Sequence, residues 1–351
     1  MASTIRCGGV NKLSFSGRPG PSASSLRRSH RQSAVMLWLT SSMALLSVML
    51  LLALILLLGW LAVSGGANSG QAAEAGDQWA SIFFMLQHGP APYNDEGIFA
   101  AIVGTVTVTL LMTIIVSPLG VIVAIYLNVY ARDTWYTELI RVGIHNLAGV
   151  PSIIYGVFGL GFFIYVIGGQ IDQWFFSAAL PRATFGTPGL LWAAVTLVLL
   201  TLPTVIVATE EGLARLPPSL RDGSLALGAT RFEMTFGVLL PAGMSSVVTG
   251  IVLAIARAAG EVAPLMLVGA VKYAPTLPLS SDAPFIQLEQ KFMHLGFLVY
   301  DLTLHAPSGD GRVALIASIA LVLVFVVMSL TTFAAVLRGR FRMQYAQEAL
   351  F

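Results

Sequence analysis

Of the 351 residues, 56% are hydrophobic and only 10% are charged, with a formal net charge of +2. An ordinary soluble domain carries about 25% charged residues, so the composition excludes a fold whose whole surface is covered by water. The single Cys7 excludes an internal disulfide framework, and His30, His88, His145, His294 and His305 show no metal-ligand spacing.

Residues 1–34 are rich in Ser, Gly and Arg without periodicity and end in the basic cluster Arg27, Arg28 and Arg31, which reads as a disordered cytoplasmic tail. The apolar run over 35–64, with its core from Val35 to Val63, is about twice the length of a signal-peptide apolar region and predicts a retained first transmembrane helix. An external loop follows over 65–97, and the core of the protein over 98–337. Within that core the apolar runs predict spans at about 98–128, 142–168, 188–209, 238–268 and 313–337, followed by a cytoplasmic tail over 338–351. The fold class expected is therefore all-α and polytopic, with six transmembrane helices. Pro118-Leu119-Gly120 lies inside the second of them and predicts a tilt or kink there.

Orientation follows from the basic residues. With the first span running outward, the tail, the loop holding Arg132 and Arg141, the loop holding Arg215, Arg221 and Arg231, and the end holding Arg338, Arg340 and Arg342 all face the cytoplasm. Arg182, Lys272, Lys291 and Arg312 fall outside, and Arg257 falls within a span. Both termini are then cytoplasmic, and the reverse topology would invert the bias. Neither larger external loop, 65–97 or 269–311, is long enough for a substrate-binding domain.

In the third span Gly149, Ser152, Gly156 and Gly159 form a small-residue face on which another helix can pack, while Asn146 and Tyr155 could line a path. Glu210 and Glu211, where the fourth span ends, read first as solvated interfacial carboxylates. The loop after them runs Leu216-Pro217-Pro218-Ser219-Leu220-Arg221-Asp222-Gly223-Ser224-Leu225-Ala226-Leu227-Gly228 and closes at Val238-Leu239-Leu240-Pro241. A short helix from Ser219 to Leu227, a turn at Gly228 and a second helix would make a compact knob at the membrane edge. In the fifth span Arg257 and Glu261 are four residues apart, which puts them on one helical face. A charge inside the bilayer costs about 2.5–3.5 kcal/mol on insertion scales, so the pair either ties the bundle together or lines a water-filled path for an anion.

The loop over 216–241 resembles the EAA loop of ABC-importer permeases, with Asp222, Gly223 and Ser224 in place of Glu-Ala-Ala and with Gly228, Leu240 and Pro241 at the family positions. Gly223 in that helix costs about 1 kcal/mol relative to Ala, which predicts a shorter or looser docking helix. The stretch Ala256 to Leu265 is similar to the Arg-Ala-x-Gly-Glu-x-Ala-Pro-Leu signature of phosphate permeases, as are Asn146 to Leu160 and Thr201 to Glu211. Together these motifs, over about residues 96–338, resemble the PstA-type subunit of binding-protein-dependent phosphate importers with a MetI-like (type I) transmembrane core.

That resemblance implies a docking role for the knob and a translocation path marked by Arg257, Glu261, Asn146 and Tyr155. It implies a second permease chain of the PstC type, a PstB-type ATPase dimer that binds ATP and Mg, and a periplasmic PstS-type phosphate-binding protein; no nucleic acid is involved. The residues agree on the ATPase, since none of Lys12, Lys272 and Lys291 follows a Gly as a phosphate-binding loop requires. The chain is thus expected to be a membrane transport subunit in the bacterial inner membrane rather than an enzyme, with no cofactor of its own. Chemistry alone leaves open an importer for molybdate, tungstate or phosphonate, a proton-coupled carrier built around Glu261, or a non-transporting scaffold.

Overall fold

The structure, a computed structural model, describes residues 98–132, 134–177, 183–274, 276–279, 285–305 and 312–348, with isolated positions at 50, 53 and 57. The chain divides into two units, 1–56 and 57–351, and the description below is of the second. The expected first span at 35–64, the loop 65–97 and the basic tail lie outside the described residues.

Among the described residues, five helical segments are long and apolar enough to cross a membrane: Phe99–Tyr130, Ser152–Phe175, Leu190–Ala214, Arg231–Gly260 and Leu315–Val336. The first is α1 (Phe99–Ile125), which ends in a π-helical turn over Tyr126–Tyr130. It runs unbroken through Pro118. Its hydroxyls are satisfied internally: Thr105 donates to the carbonyl of Ala101, Thr109 to Thr105, Thr113 to Thr109 and Ser117 to Thr113, at 2.6–2.7 Å. That ladder lets polar residues sit in an apolar span without a desolvation penalty.

Two of the expected spans have different bounds. The span expected over 142–168 is two helices: α2 (Trp135–Ala148), and after a break at Gly149-Val150-Pro151, α3 (Ser152–Phe158), which continues as a π-helix over Gly159–Gly168 and as α4 (Gly169–Phe175). Pro151 lacks a backbone N–H and holds φ at −56° with ψ at 135°, an extended setting that starts a new helix rather than prolonging the old one. The fourth is α5 (Leu190–Ala214). The helix expected over 238–268 begins earlier, at the short α7 (Arg231–Glu233) and the π-turn Met234–Leu239, continues as α8 (Leu240–Gly260), and stops there. Glu261 is extended (φ −78°, ψ 136°), and α9 (Ala263–Val268) follows with Pro264 in its first turn. The short helix α6 (Pro218–Ala226) lies between α5 and α7.

Small residues let the spans approach closely, which is how membrane helices associate when lipid offers no hydrophobic drive. On α8, Gly243 faces Leu213, Gly212 of α5 faces Ser246, and Gly250 faces Ala208 and Val205. These contacts fix α5 and α8 as antiparallel neighbours. A Cβ on Gly156 of α3 would come within 2.7 Å of the Pro264 Cα, and one on Gly159, at the start of the π-helix, would meet Thr196 of α5 and come within 2.9 Å of the Val268 Cγ1. The small-residue face thus packs against α9 through Gly156 and Gly159. The core beneath it holds Met112, Val116, Ile164, Trp192, Leu197, Leu200, Ala254 and Leu265.

At the end away from α6, Asp172 is buried and accepts backbone N–H bonds from Thr184, Phe185 and Gly186 at 2.7–2.9 Å, closing the connection to α5. A two-residue parallel pair, β1 (Ala270–Val271) with β2 (Phe292–Met293), leads to α10 (Leu295–His305) and then α11 (Arg312–Glu348). Lys272 and His305 both reach the carboxylate of Asp301, at 2.8 and 3.2 Å.

Candidate functional site: a docking knob and a charged helix break

The knob begins where Pro217 and Pro218 start α6: proline in a first helical turn loses no hydrogen bond that the helix would have made. Gly228 then takes φ +89°, the left-handed setting that an L side chain resists, and its N–H donates to the Leu225 carbonyl at 3.0 Å. Ala229 N–H donates to the Ser224 carbonyl at 3.1 Å, so the end of the helix is closed by backbone bonds. Two residues later Thr230 caps the next helix. Its hydroxyl accepts the Glu233 N–H at 3.3 Å, and its own N–H donates to the Glu233 carboxylate at 2.7 Å. This capping box carries the Thr-x-x-Glu signal, which is legible in the sequence. The Gly228 turn and the cap together bring α6 against the π-turn Met234–Leu239 that leads into α8.

Asp222, Gly223 and Ser224 all lie on α6, where Ser224 donates its hydroxyl to the Arg221 carbonyl at 2.9 Å. The helix is formed over nine residues despite Gly223, around which a Cβ would find open space. Leu240 and Pro241 sit elsewhere, at the start of α8, where Leu240 packs with Ile125, Leu213, Met234 and Leu239 under the knob. The tip is apolar: Leu227 is 91% exposed, and Phe232 and Phe236 stand exposed with ring centroids 4.5 Å apart. Large exposed apolar side chains at a rigid turn are what a partner's groove would bury.

Knob-side arginines bind the span ends. Arg141 of α2 donates through Nε to Glu210 of α5 at 2.8 Å and through Nη2 to the Leu127 carbonyl at 3.0 Å. Arg221 of α6 donates to the Asn128 side chain at 3.1 Å. Glu210 is thus a half-buried, paired carboxylate rather than a solvated one, whereas Glu211 is well exposed and pairs with Arg215. No periodicity signals these contacts, because the partners are up to 93 residues apart.

The second cluster lies in the opposite half of the bundle. Since Gly243 faces Leu213 and Gly250 faces Val205, continuing the antiparallel register brings Arg257 to about the level of Leu197 on α5, roughly 10 Å from the far end of that helix at 1.5 Å per residue. Arg257 Nε stands 3.6 Å from Glu261 Oε1, with side chains 32% and 19% exposed. The two do not share a continuous helix, because α8 has already ended at Gly260; the extended backbone of Glu261 still leaves its carboxylate beside the guanidinium. Gly156 of α3 packs against Pro264, two residues past the break at Glu261-Val262. Tyr155 is buried there, donates its hydroxyl to the Leu147 carbonyl at 2.6 Å, and is within electrostatic reach of Arg257. Asn146 is exposed near the end of α2, on a separate helix from Tyr155.

A broken helix beside a paired intramembrane charge gives a site where backbone groups and a guanidinium are available to a polar solute in an otherwise apolar bundle. Among the described residues no group of three or more His, Cys, Asp or Glu is placed to hold a metal ion.

The family described as "Binding-protein-dependent transport system inner membrane component" matches residues 117–342, more than half of the chain. A "Probable ABC transporter permease protein YqgH" of Bacillus subtilis (strain 168) is 34% identical over 190 residues, 53% of this chain and 56% of that one. A "Phosphate transport system permease protein PstA" of Yersinia pestis is 36% identical over 189 residues, 53% of this chain and 57% of that one. The chain thus spans somewhat more than half the length of these curated relatives. Among solved structures, a bacterial alginate ABC transporter bound to its periplasmic protein has a chain that superposes with a TM-score of 0.54 at 16% identity, covering 86% of this chain and 94% of that one. At that identity the likeness speaks for the fold alone.

Proposed function

Because the chain belongs to the family of binding-protein-dependent transport system inner membrane components, which are transport subunits rather than enzymes, we propose that it is a permease of an ATP-driven importer for inorganic phosphate. The observation that carries the reading is the pairing of an apolar, rigidly capped knob at one edge of the bundle with Arg257 at a helix break in the other half. The first is a handle for a motor protein. The second is a cation in a place where an uncompensated charge would be expelled, so its retention calls for an anionic solute or a structural partner. Similarity to phosphate permeases of the PstA type favours phosphate as the solute.

In this reading the knob faces the cytoplasm and seats in a groove of a PstB-type ATPase, which supplies ATP, Mg and the hydrolysis step. Both termini are cytoplasmic, the run 35–64 is a sixth span, a PstC-type second permease completes the path, and a PstS-type periplasmic protein delivers the anion. Arg257 meets the phosphate by charge-assisted hydrogen bonds, and Glu261 holds the guanidinium and limits how tightly the anion is kept.

The test uses the complex reconstituted in vesicles. Arg257→Gln should stop phosphate uptake while the complex still assembles, and neutralising both Arg257 and Glu261 should give a complex that assembles and still fails to carry phosphate. If the pair were structural, the double neutralisation would restore uptake, because no lone charge is left in the bundle. Uptake in the parent complex of molybdate, tungstate or phosphonate in preference to phosphate would replace the substrate and keep the permease.

A further inference from the structure

The charged side chains on the knob side of the bundle form a connected route that neither the docking motif nor the path residues account for. It starts on α6, where Arg221 donates to the Asn128 side chain at 3.1 Å. Asn128 belongs to the π-helical turn Tyr126–Tyr130 that ends the first described span. The neighbouring residue of that turn, Leu127, gives its carbonyl to Arg141 Nη2 at 3.0 Å, and Arg141 Nε is simultaneously engaged by Glu210 at 2.8 Å. One guanidinium therefore fastens α2 to the ends of two spans. Six residues further along α2, about 9 Å of helix axis, the Leu147 carbonyl accepts the hydroxyl of Tyr155, whose chain neighbour Gly156 packs against Pro264 just past the Glu261-Val262 break.

We infer that α2 is a lever joining the docking knob to the charged helix break, with Arg141, Asn128 and Glu210 as positioning residues that couple the motion of α6 to α3. The inference rests on the docking role proposed above.

Three features favour a lever over a static tie. α2 is flanked by non-helical backbone at both ends, Thr134 (φ −122°, ψ 158°) and the Gly149-Val150-Pro151 break, so it can pivot as a rigid unit. Apart from Thr137 it fully buries no residue, and Ile144 is the apolar side chain it packs on the core, beside Ala124, Leu127 and Ile206, so a small contact holds it to the bundle. Its polar attachments are at Arg141 near its middle and at Leu147 near its far end, and they transmit displacement along a helix that is itself stiff. The π-turn at Tyr126–Tyr130, with its carbonyl and side chain held by different arginines, is the joint at which the knob's movement enters.

The substitutions separate charge from connection. Arg141→Lys keeps a cation beside Glu210 but cannot also reach the Leu127 carbonyl in a fixed fork. Asn128→Leu removes the acceptor for Arg221, and Asn128→Asp restores one. With the full complex in vesicles carrying the binding protein inside or out as needed, we expect Arg141→Lys and Asn128→Leu to keep basal ATP hydrolysis and complex yield within about twofold of the parent. Phosphate uptake per ATP hydrolysed should fall about tenfold in each, should fall no further in the double variant, and should recover in Asn128→Asp. Parental uptake in both single variants overturns the lever, and so does a loss of complex yield that tracks the loss of uptake, which would mark the contacts as merely structural. Gly228→Val serves as the control for the reading beneath it: if that variant too transports normally, docking through the knob is what has failed.

Discussion

Gly228 is the place where backbone conformation and function can be separated most cleanly. Its φ of +89° lies in the left-handed region, and no heavy atom stands within 4 Å of where a Cβ would be. Any penalty for a side chain thus comes from the backbone alone, as far as this chain is concerned. An L residue held in that region costs about 1–2 kcal/mol, which lowers the population of the closed knob about 5- to 30-fold relative to alternatives. Asn adopts the left-handed region far more readily than Ala, and a β-branched residue resists it most. The expected order of phosphate uptake and of ATPase stimulation is therefore Gly, then Gly228→Asn, then Gly228→Ala, then Gly228→Val, even though Asn is larger than Ala. Initial rates in vesicles at matched complex content provide the measurement. A Gly228→Asn variant less active than Gly228→Ala would refute the backbone argument and point to side-chain volume against the partner instead.

Asp172→Ala should lower the thermal stability of the detergent-solubilised complex by an amount equivalent to about 3–5 kcal/mol, because three backbone N–H groups lose a common ionic acceptor; Asp172→Asn, which keeps one acceptor oxygen, should lose clearly less. His294 is fully buried between β2 and α10, its Nδ1 accepts the Gly296 N–H at 3.2 Å, and burial holds its pKa down to about 4. The fold keeps the ring neutral while the unfolded chain protonates it near 6.5, so stability is complete above about pH 6.5 and drains away as pH falls toward 4, by about 3 kcal/mol at most. A stability profile of the parent that is level between pH 7 and pH 4.5, or one that His294→Leu leaves unchanged, would show that the ring does not act this way.

Much of this molecule could be read from one dimension. Apolar runs located three of the five described spans to within about five residues, because the bilayer demands about 20 consecutive apolar residues wherever a helix crosses, a requirement that no tertiary contact can relax. The knob was legible for a similar reason: Pro217-Pro218 fix φ where the helix starts, and Gly228 permits the left-handed turn where it ends. The division of the expected 142–168 span was signalled by Gly149 and Pro151, but hydropathy outweighed it, since Val142, Ile144 and Leu147 keep the run apolar across the break. The end of α8 at Gly260 was harder to see, for Arg257 and Glu261 satisfy helical spacing whether or not the helix continues between them.

Composition, span pattern and the local grammar of proline and glycine were determined by the sequence alone, because each depends on residues close together in the chain or on the solvent surrounding it. What only the tertiary structure decided is which distant groups meet: Arg141 with Glu210 and the Leu127 carbonyl, Arg221 with Asn128, Tyr155 with the Leu147 carbonyl, and Gly156 with Pro264. The helical period tells which way a side chain points but not which helix stands opposite. In a bundle whose spans are apolar almost all round, that choice is made by where small residues let backbones approach and where the few polar groups find one another.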